Sequence, residues 1–281
     1  IKEQKTLLEQ TLREMALIKA PTGHEKKRAE YCVEWLQAQG IEEVLADECT
    51  NVIVPWNIQS GKNNCMFMAH LDTVFSEETE LMIKENKGKW CCPGIGDDTA
   101  NAAILLLLIK YVHEKVKKRS CGVWFVFDVG EEGLGNLAGS RKLMESYGKS
   151  LRWVTSFDLY THHIYTSSVG SYRYRIIVKT KGGHSYLDFG NKSAVAEMAA
   201  LIHELYGYQP VGAGHTTYNA GVISGGTSVN TIAQECSMLY EARSDEAEAL
   251  MECSPPVLML ARLQAYHTCP HQQCLRSHES N

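Results

Sequence analysis

The order of apolar and polar positions predicts an α/β region in the first part of the chain. Two amphipathic helices come first, with apolar stripes through Leu12 and Leu36. Strand-like runs at 51–56, 65–69, 122–128 and 153–157 then alternate with helical segments at 99–113 and 137–147. This alternation favours a mostly parallel sheet sandwiched by helices. We therefore expect a catalytic α/β domain over residues 1–168.

The pattern changes after about Gly170. A strand with one wet face over 172–179 is followed by a helix over 194–205 and by strands over 215–223 and 236–243. This order predicts a second, inserted α+β domain over residues 169–262. Residues 263–281 form an atypical tail, and the region from Glu252 onward is rich in proline, cysteine and histidine.

Composition narrows the function classes. The 281 residues are 44% hydrophobic and 22% charged, with a net charge of −5, which is typical of soluble globular proteins and gives no basic face for nucleic acid. The longest apolar run, 102–109, is far shorter than the roughly 18 residues of a membrane span. The charged N-terminus and the ten scattered cysteines predict a cytoplasmic protein with reduced thiols.

Acidic and histidine residues follow the predicted strands, and the carboxyl ends of such strands are where ligands bind in open α/β sheets. They are His70, Asp72, Asp97, Asp98, Glu131, Glu132 and Asp158, of which Asp97 and Asp98 lie in a glycine-rich turn that opens a helix. Each is a weak signal by itself, but carboxylates grouped at one sheet edge would repel each other without cations. Carboxylates and imidazole suit Zn²⁺, Co²⁺ or Mn²⁺, and two ions sharing one carboxylate would account for so dense an acidic cluster.

The chain resembles the co-catalytic zinc metallopeptidases, which include aminoacylases, glutamate carboxypeptidases and peptidase T, a tripeptidase. The resemblance runs from near the N-terminus to about Ala247. It is carried by M-A-H-L-D-T-V (68–74), G-I-G-D-D-T-A (94–100), G-E-E-G (130–133), S-F-D (156–158), G-G-H-S (182–185) and S-G-G-T-S-V-N-T-I-A (224–233). One departure is Thr99, where much of the family has lysine.

The resemblance implies a fold, a dinuclear zinc site and a role for each residue. The fold would be zinc exopeptidase-like, with a ferredoxin-like lid and dimerisation domain. His70 and Asp158 would bind one zinc, Glu132 the other, and Asp97 would bridge the two. Asp72 would orient His70 through its second ring nitrogen, a role that the spacing also suggests. Glu131 would be the general base that takes a proton from a water bridging the two ions.

In the second domain, the resemblance implies that His184 reaches the active site of a neighbouring subunit and stabilises the oxyanion. Asn230 and Arg243 match positions that help hold the substrate, and the protein would be a homodimer joined through this domain. The family completes its metal site with a late histidine, for which His267 in the tail is the nearest match. The catalytic domain is therefore expected to be incomplete at its C-terminus.

Three functions stay open from the sequence. The first is an exopeptidase for di- and tripeptides. The second is a deacylase or carboxypeptidase acting on N-acyl amino acids with the same metals. The third is a non-catalytic metal- or peptide-binding relative that lacks the last histidine ligand.

Overall fold

The computed structural model describes residues 2–117, 121–158, 163–207, 209, 214–251 and 278–279. The chain divides into two compact units, Ile1–Ile164 and Tyr165–Asn281, whereas the sequence placed the division at 168/169. Within the described ranges, no helix has the length and apolar character needed to cross a membrane.

The described residues of the first unit contain four α-helices and seven strands. The helices are α1 (Lys2–Ala16), α2 (Lys26–Ala38), α3 (Ala100–Lys115) and α4 (Ala138–Tyr147). The strands are β1 (Leu45–Ala46), β2 (Val52–Trp56), β3 (Asn64–His70), β4 (Lys84–Asn86), β5 (Lys89–Cys91), β6 (Gly122–Asp128) and β7 (Leu151–Ser156). The hairpin of β4 and β5 was not predicted.

The main sheet is mixed, so the prediction of a mostly parallel sheet is confirmed only in part. Its order is β1-β2-β6-β3-β7, with β3 parallel to both β6 and β7. However, β2 pairs with β6 and with β1 in antiparallel fashion. The burial of β2 on both faces gives the same apolar run in either direction, so the sequence pattern carried no information about its direction.

Helices cover both faces of this sheet, as predicted. On one face, alternate residues such as Phe125 and Phe127 pack in one core with α1, α2 and α3. On the other face, Met66 and Val126 pack with Leu143 of α4. Since side chains alternate along a strand, each central strand supplies both cores.

The second unit contains a four-stranded antiparallel sheet and one long helix in its described part. The elements are β8 (Gly170–Lys179), β9 (Gly183–His184), α5 (Ala194–Gly207), β10 (Thr216–Gly225), β11 (Thr231–Ile232), β12 (Glu235–Ser244) and β13 (His278–Glu279). The sheet order is β10-β12-β8-β13, and α5 packs on it through a core that includes Met198 and Met238. Apart from β13, the predicted tail lies outside the described residues.

Candidate metal centre

Three neighbouring strands of the first unit bring His70 and most of the candidate carboxylates to one edge of the sheet. His70 is the last residue of β3 and pairs with Asp128 at the end of β6, from which the chain continues into Glu131 and Glu132. Asp158 follows β7 on the other side of β3. Because these three strands run parallel, their carboxyl ends meet at the same edge.

The structure brings these side chains together in two clusters that share one histidine. Ligand atoms of His70, Asp97 and Asp158 all lie within 4.8 Å of one another. Ligand atoms of His70, Glu131 and Glu132 meet the same limit. Asp97 reaches the first cluster from a short turn, Ile95–Thr99, that leads into α3.

The two ring nitrogens of His70 face different partners, as they do in a histidine that binds a metal through one nitrogen and is oriented through the other. Its Nε2 lies 3.1 Å from Oδ1 of Asp97, on the side where the carboxylates gather. Its Nδ1 lies 3.1 Å from the backbone oxygen of Asp72 and 3.4 Å from Oδ1 of the same residue. In this arrangement the lone pair of Nε2 could bind a cation, while the contacts of Nδ1 orient the ring.

Asp72 also fixes the segment that carries the two glutamates. Its side chain is fully buried, and it accepts hydrogen bonds from the backbone N–H of Glu131 at 3.0 Å and of Glu132 at 2.8 Å. The hydroxyl of Thr22 donates to the same carboxylate at 2.9 Å. Burial opposes ionisation of Asp72, but the bonds from His70, Glu132 and Glu131 outweigh it and lower its pKa.

The electrostatics of the site fit divalent cations. Burial, together with the neighbouring carboxylates, raises the pKa of Glu131 to about 7 and also raises that of Glu132. Burial alone would lower the pKa of His70, but Asp72, Asp97 and Asp98 together raise it to about 11. Without metal ions, the site therefore places several carboxylates around a histidine that is protonated. Divalent ions would replace that proton and compensate the carboxylates, so this donor set suits two hard or borderline cations.

A cavity of about 430 Å³ opens beside the carboxylates of the first unit. Asp97 and Glu132 lie on its wall, together with Val74, Phe75 and Ile95. The cavity thus combines carboxylates with apolar side chains, as ligand sites commonly do.

The second unit holds the three remaining predicted residues. Nδ1 of His184 accepts hydrogen bonds from the backbone N–H of Tyr186 at 3.2 Å and of Leu187 at 3.4 Å, which puts the ring proton on Nε2. Asn230 lies beside it, because β9 and β11 pair His184 with Thr231. Arg243 lies on β12 and forms an ion pair with Glu241 at 3.1 Å. His267 lies outside the described residues.

Sequence reasoning assigned no role to several residues that support the site. Asp98 is buried and accepts hydrogen bonds from the backbone N–H of His70 and from Asn101, while burial raises its pKa to about 8. Glu25, also buried, accepts from the backbone N–H of Gly130 at 3.2 Å. Arg28 was detectable in principle, because helical spacing puts its charge on the apolar stripe of α2.

Fold and site together describe an α/β protein with a carboxylate–histidine cluster that could hold metal ions. A family model described as peptidase family M20/M25/M40 matches residues 66–261, and the chain belongs to this family of hydrolases. The family resemblance drawn from the sequence is thereby confirmed. No curated protein sequence matches the chain significantly.

Solved structures share the fold at low sequence identity. An aminopeptidase PepT from Bacillus cereus has a TM-score of 0.65 at 20% identity, over 99% of this chain and 76% of that one. A tripeptidase from Staphylococcus aureus has a TM-score of 0.68 at 21% identity, over 98% and 75%. A dinuclear metal-binding peptidase from Bacillus subtilis has a TM-score of 0.62 at 16% identity, over 99% and 73%.

Proposed function

We propose that this chain is a dinuclear zinc-dependent hydrolase that cleaves an amide bond of short peptides as a di- or tripeptide exopeptidase. The observation that carries the proposal is the pair of donor clusters that share His70. Membership in a peptidase family supports the reaction class. The tripeptidase and the dinuclear metal-binding peptidase among the similar folds favour the substrate class and the metal number.

In this proposal, His70 and Asp158 hold one ion, Glu132 holds the other, and Asp97 lies between them as a shared ligand. The bound ions would supply Lewis acidity and lower the pKa of a water molecule. Zn²⁺ is our first choice, and Co²⁺ or Mn²⁺ suit the same donors.

Glu131 is the proton carrier of the proposed mechanism. It lies in the second cluster beside Glu132, and in this assignment its half-buried carboxylate takes a proton from the attacking water and returns it to the leaving amine. His184 donates from Nε2 to the oxyanion, and Asn230 and Arg243 hold the substrate. We further propose that the second unit forms a lid and a homodimer interface, so that His184 serves the active site of the partner subunit.

Metal content and a substrate panel test the function. We expect two ions per chain, loss of hydrolysis after chelation, and its recovery when Zn²⁺, Co²⁺ or Mn²⁺ is returned. Faster cleavage of di- and tripeptides than of N-acyl amino acids supports the peptidase, and the reverse order supports the deacylase. One ion or none, with no turnover of either class, would identify a non-catalytic relative.

Two variants separate the base from the ligand. Glu131→Ala is expected to abolish turnover and to keep both ions, whereas Glu132→Ala is expected to lose one ion. Loss of metal from Glu131→Ala as well would show that the assignment of base and ligand is wrong.

Subunit mixing tests the role of His184. Glu131→Ala and His184→Ala are each expected to be inactive as homodimers. After subunit exchange, mixed dimers regain one intact site if His184 acts across the interface. Light scattering that shows only monomers, or mixtures that stay inactive, would contradict this part of the proposal.

A further inference from the structure

Arg28 is a buried cation beneath the candidate metal centre. It lies on α2 and is only 1% exposed, among the largest fully buried side chains of the described residues. A buried guanidinium is strongly unfavourable unless its N–H groups are hydrogen-bonded and its charge is compensated. Its position therefore calls for a reason beyond packing.

The guanidinium joins segments that lead into both metal-binding loops. Nη1 donates to the backbone oxygen of Leu71 at 2.8 Å and to the hydroxyl of Thr99 at 3.2 Å, while Nη2 donates to the backbone oxygen of Ile18 at 2.6 Å. Leu71 separates the proposed ligand His70 from Asp72. Thr99 comes two residues after the proposed shared ligand Asp97.

Thr99 links Arg28 to the turn that contains Asp97 through a second hydrogen bond. Its hydroxyl donates to the backbone oxygen of Gly94 at 2.7 Å and accepts from Arg28. Thr99 is 1% exposed, so its hydroxyl has these partners in place of water. A longer cationic side chain at position 99 would bring a second positive charge against the guanidinium.

All three hydrogen-bond partners of Arg28 are neutral oxygens, so the charge is compensated at longer range. Burial lowers the pKa of Arg28 to about 10, and Asp72 is a nearby carboxylate that favours the charged form. Arg28 therefore stays charged at neutral pH and balances part of the negative charge of the site.

We propose that Arg28 is a positioning residue that ties the His70–Asp72 loop to the Gly94–Thr99 turn, and that the space between these two segments takes a single buried cation. This inference rests on the proposed metal site. It explains why position 99 is a neutral hydroxyl residue in this chain: Arg28 and Thr99 together occupy a space that accommodates only one positive charge.

The test uses Co²⁺ titration of the metal-free protein, followed by its visible absorption spectrum, together with kcat and KM of the reloaded enzyme. Arg28→Met is expected to weaken Co²⁺ binding by about 10- to 100-fold, as loss of groups that orient ligands does. It should lower kcat with little change in KM. Thr99→Val keeps the shape, removes the hydroxyl, and should weaken binding in the same direction if Arg28→Met fails to fold.

Moving the positive charge from position 28 to position 99 gives the most specific test. Thr99→Lys alone should weaken Co²⁺ binding, but in the double variant Arg28→Met/Thr99→Lys the affinity should recover by about tenfold over Arg28→Met. Arg13→Met is the control, because Arg13 stacks on Trp90 and is exposed. Wild-type affinity in a folded Arg28→Met or Thr99→Val, or a double variant no better than Arg28→Met, would overturn the inference. Failure of the wild type to bind Co²⁺ would instead refute the proposed function.

Discussion

Replacing Asp72 by asparagine tests whether one carboxylate organises the whole centre. Its Oδ1 accepts from Glu131 N–H and faces His70, and its Oδ2 accepts from Glu132 N–H and from Thr22. In either orientation, the amide NH₂ of asparagine would point at a backbone N–H. The Thr22 hydroxyl can turn and accept, but the backbone donor cannot.

The expected loss follows from these contacts. One buried donor without an acceptor costs about 1–3 kcal/mol, and the change of the remaining bonds from charged to neutral adds about 1 kcal/mol. The free energy of unfolding of the metal-free protein should therefore fall by about 2–4 kcal/mol. Because His70 and the Glu131–Glu132 segment lose their common anchor, Co²⁺ affinity should fall by about 10- to 100-fold.

Urea unfolding followed by tryptophan fluorescence measures the first quantity, and it reports on the first unit because all five tryptophans lie there. Asp47→Asn is a matched control. The Asp47 carboxylate accepts from the backbone N–H of Cys49 and of Asn51 and from the Asn51 amide, and none of the proposed metal donors is among these partners. It should lose stability and keep its Co²⁺ affinity. Equal losses of affinity in both variants, or none in Asp72→Asn, would refute the reasoning.

Three further predictions concern the frame around the centre. Burial raises the pKa of Asp128 from its ordinary 3.8 to about 6, so the folded protein binds the extra proton and stability should fall as pH rises from about 4 to 6. Asp128→Asn should remove this fall, worth up to about 3 kcal/mol, and a variant with the wild-type pH profile would contradict it. Leu106→Ala, at a fully buried core position, should lower the free energy of unfolding by about 2–5 kcal/mol in urea. A methyl group at Gly139 would lie 2.5 Å from the backbone oxygen of Val129, so Gly139→Ala should cost about 1–3 kcal/mol, while Gly207→Ala, which meets no atom within 4 Å, should not.

The periodicity of the sequence was sufficient to predict most helices and strands, and to predict that the candidate site residues lie close together. The strand of residues 122–128 was predicted with its observed bounds, and the helices at 99–113 and 137–147 differ from α3 and α4 by one or two residues at their ends. These segments are long and strongly apolar on the correct period, and such signals are local. The grouping of His70 with acidic residues also followed, because parallel strands bring their carboxyl ends together.

Only the tertiary structure showed which residues support the candidate metal ligands. The direction of β2, the burial of Arg28 against Thr99, and the three contacts of Asp72 with Thr22, Glu131 and Glu132 depend on segments far apart in the chain. The hydrogen bond between Arg28 and Thr99 cannot be predicted from the hydrophobic pattern of either segment, because it depends on how a helix packs on a sheet. The sequence thus determined which side chains could hold a cation, and packing determined how firmly they are held.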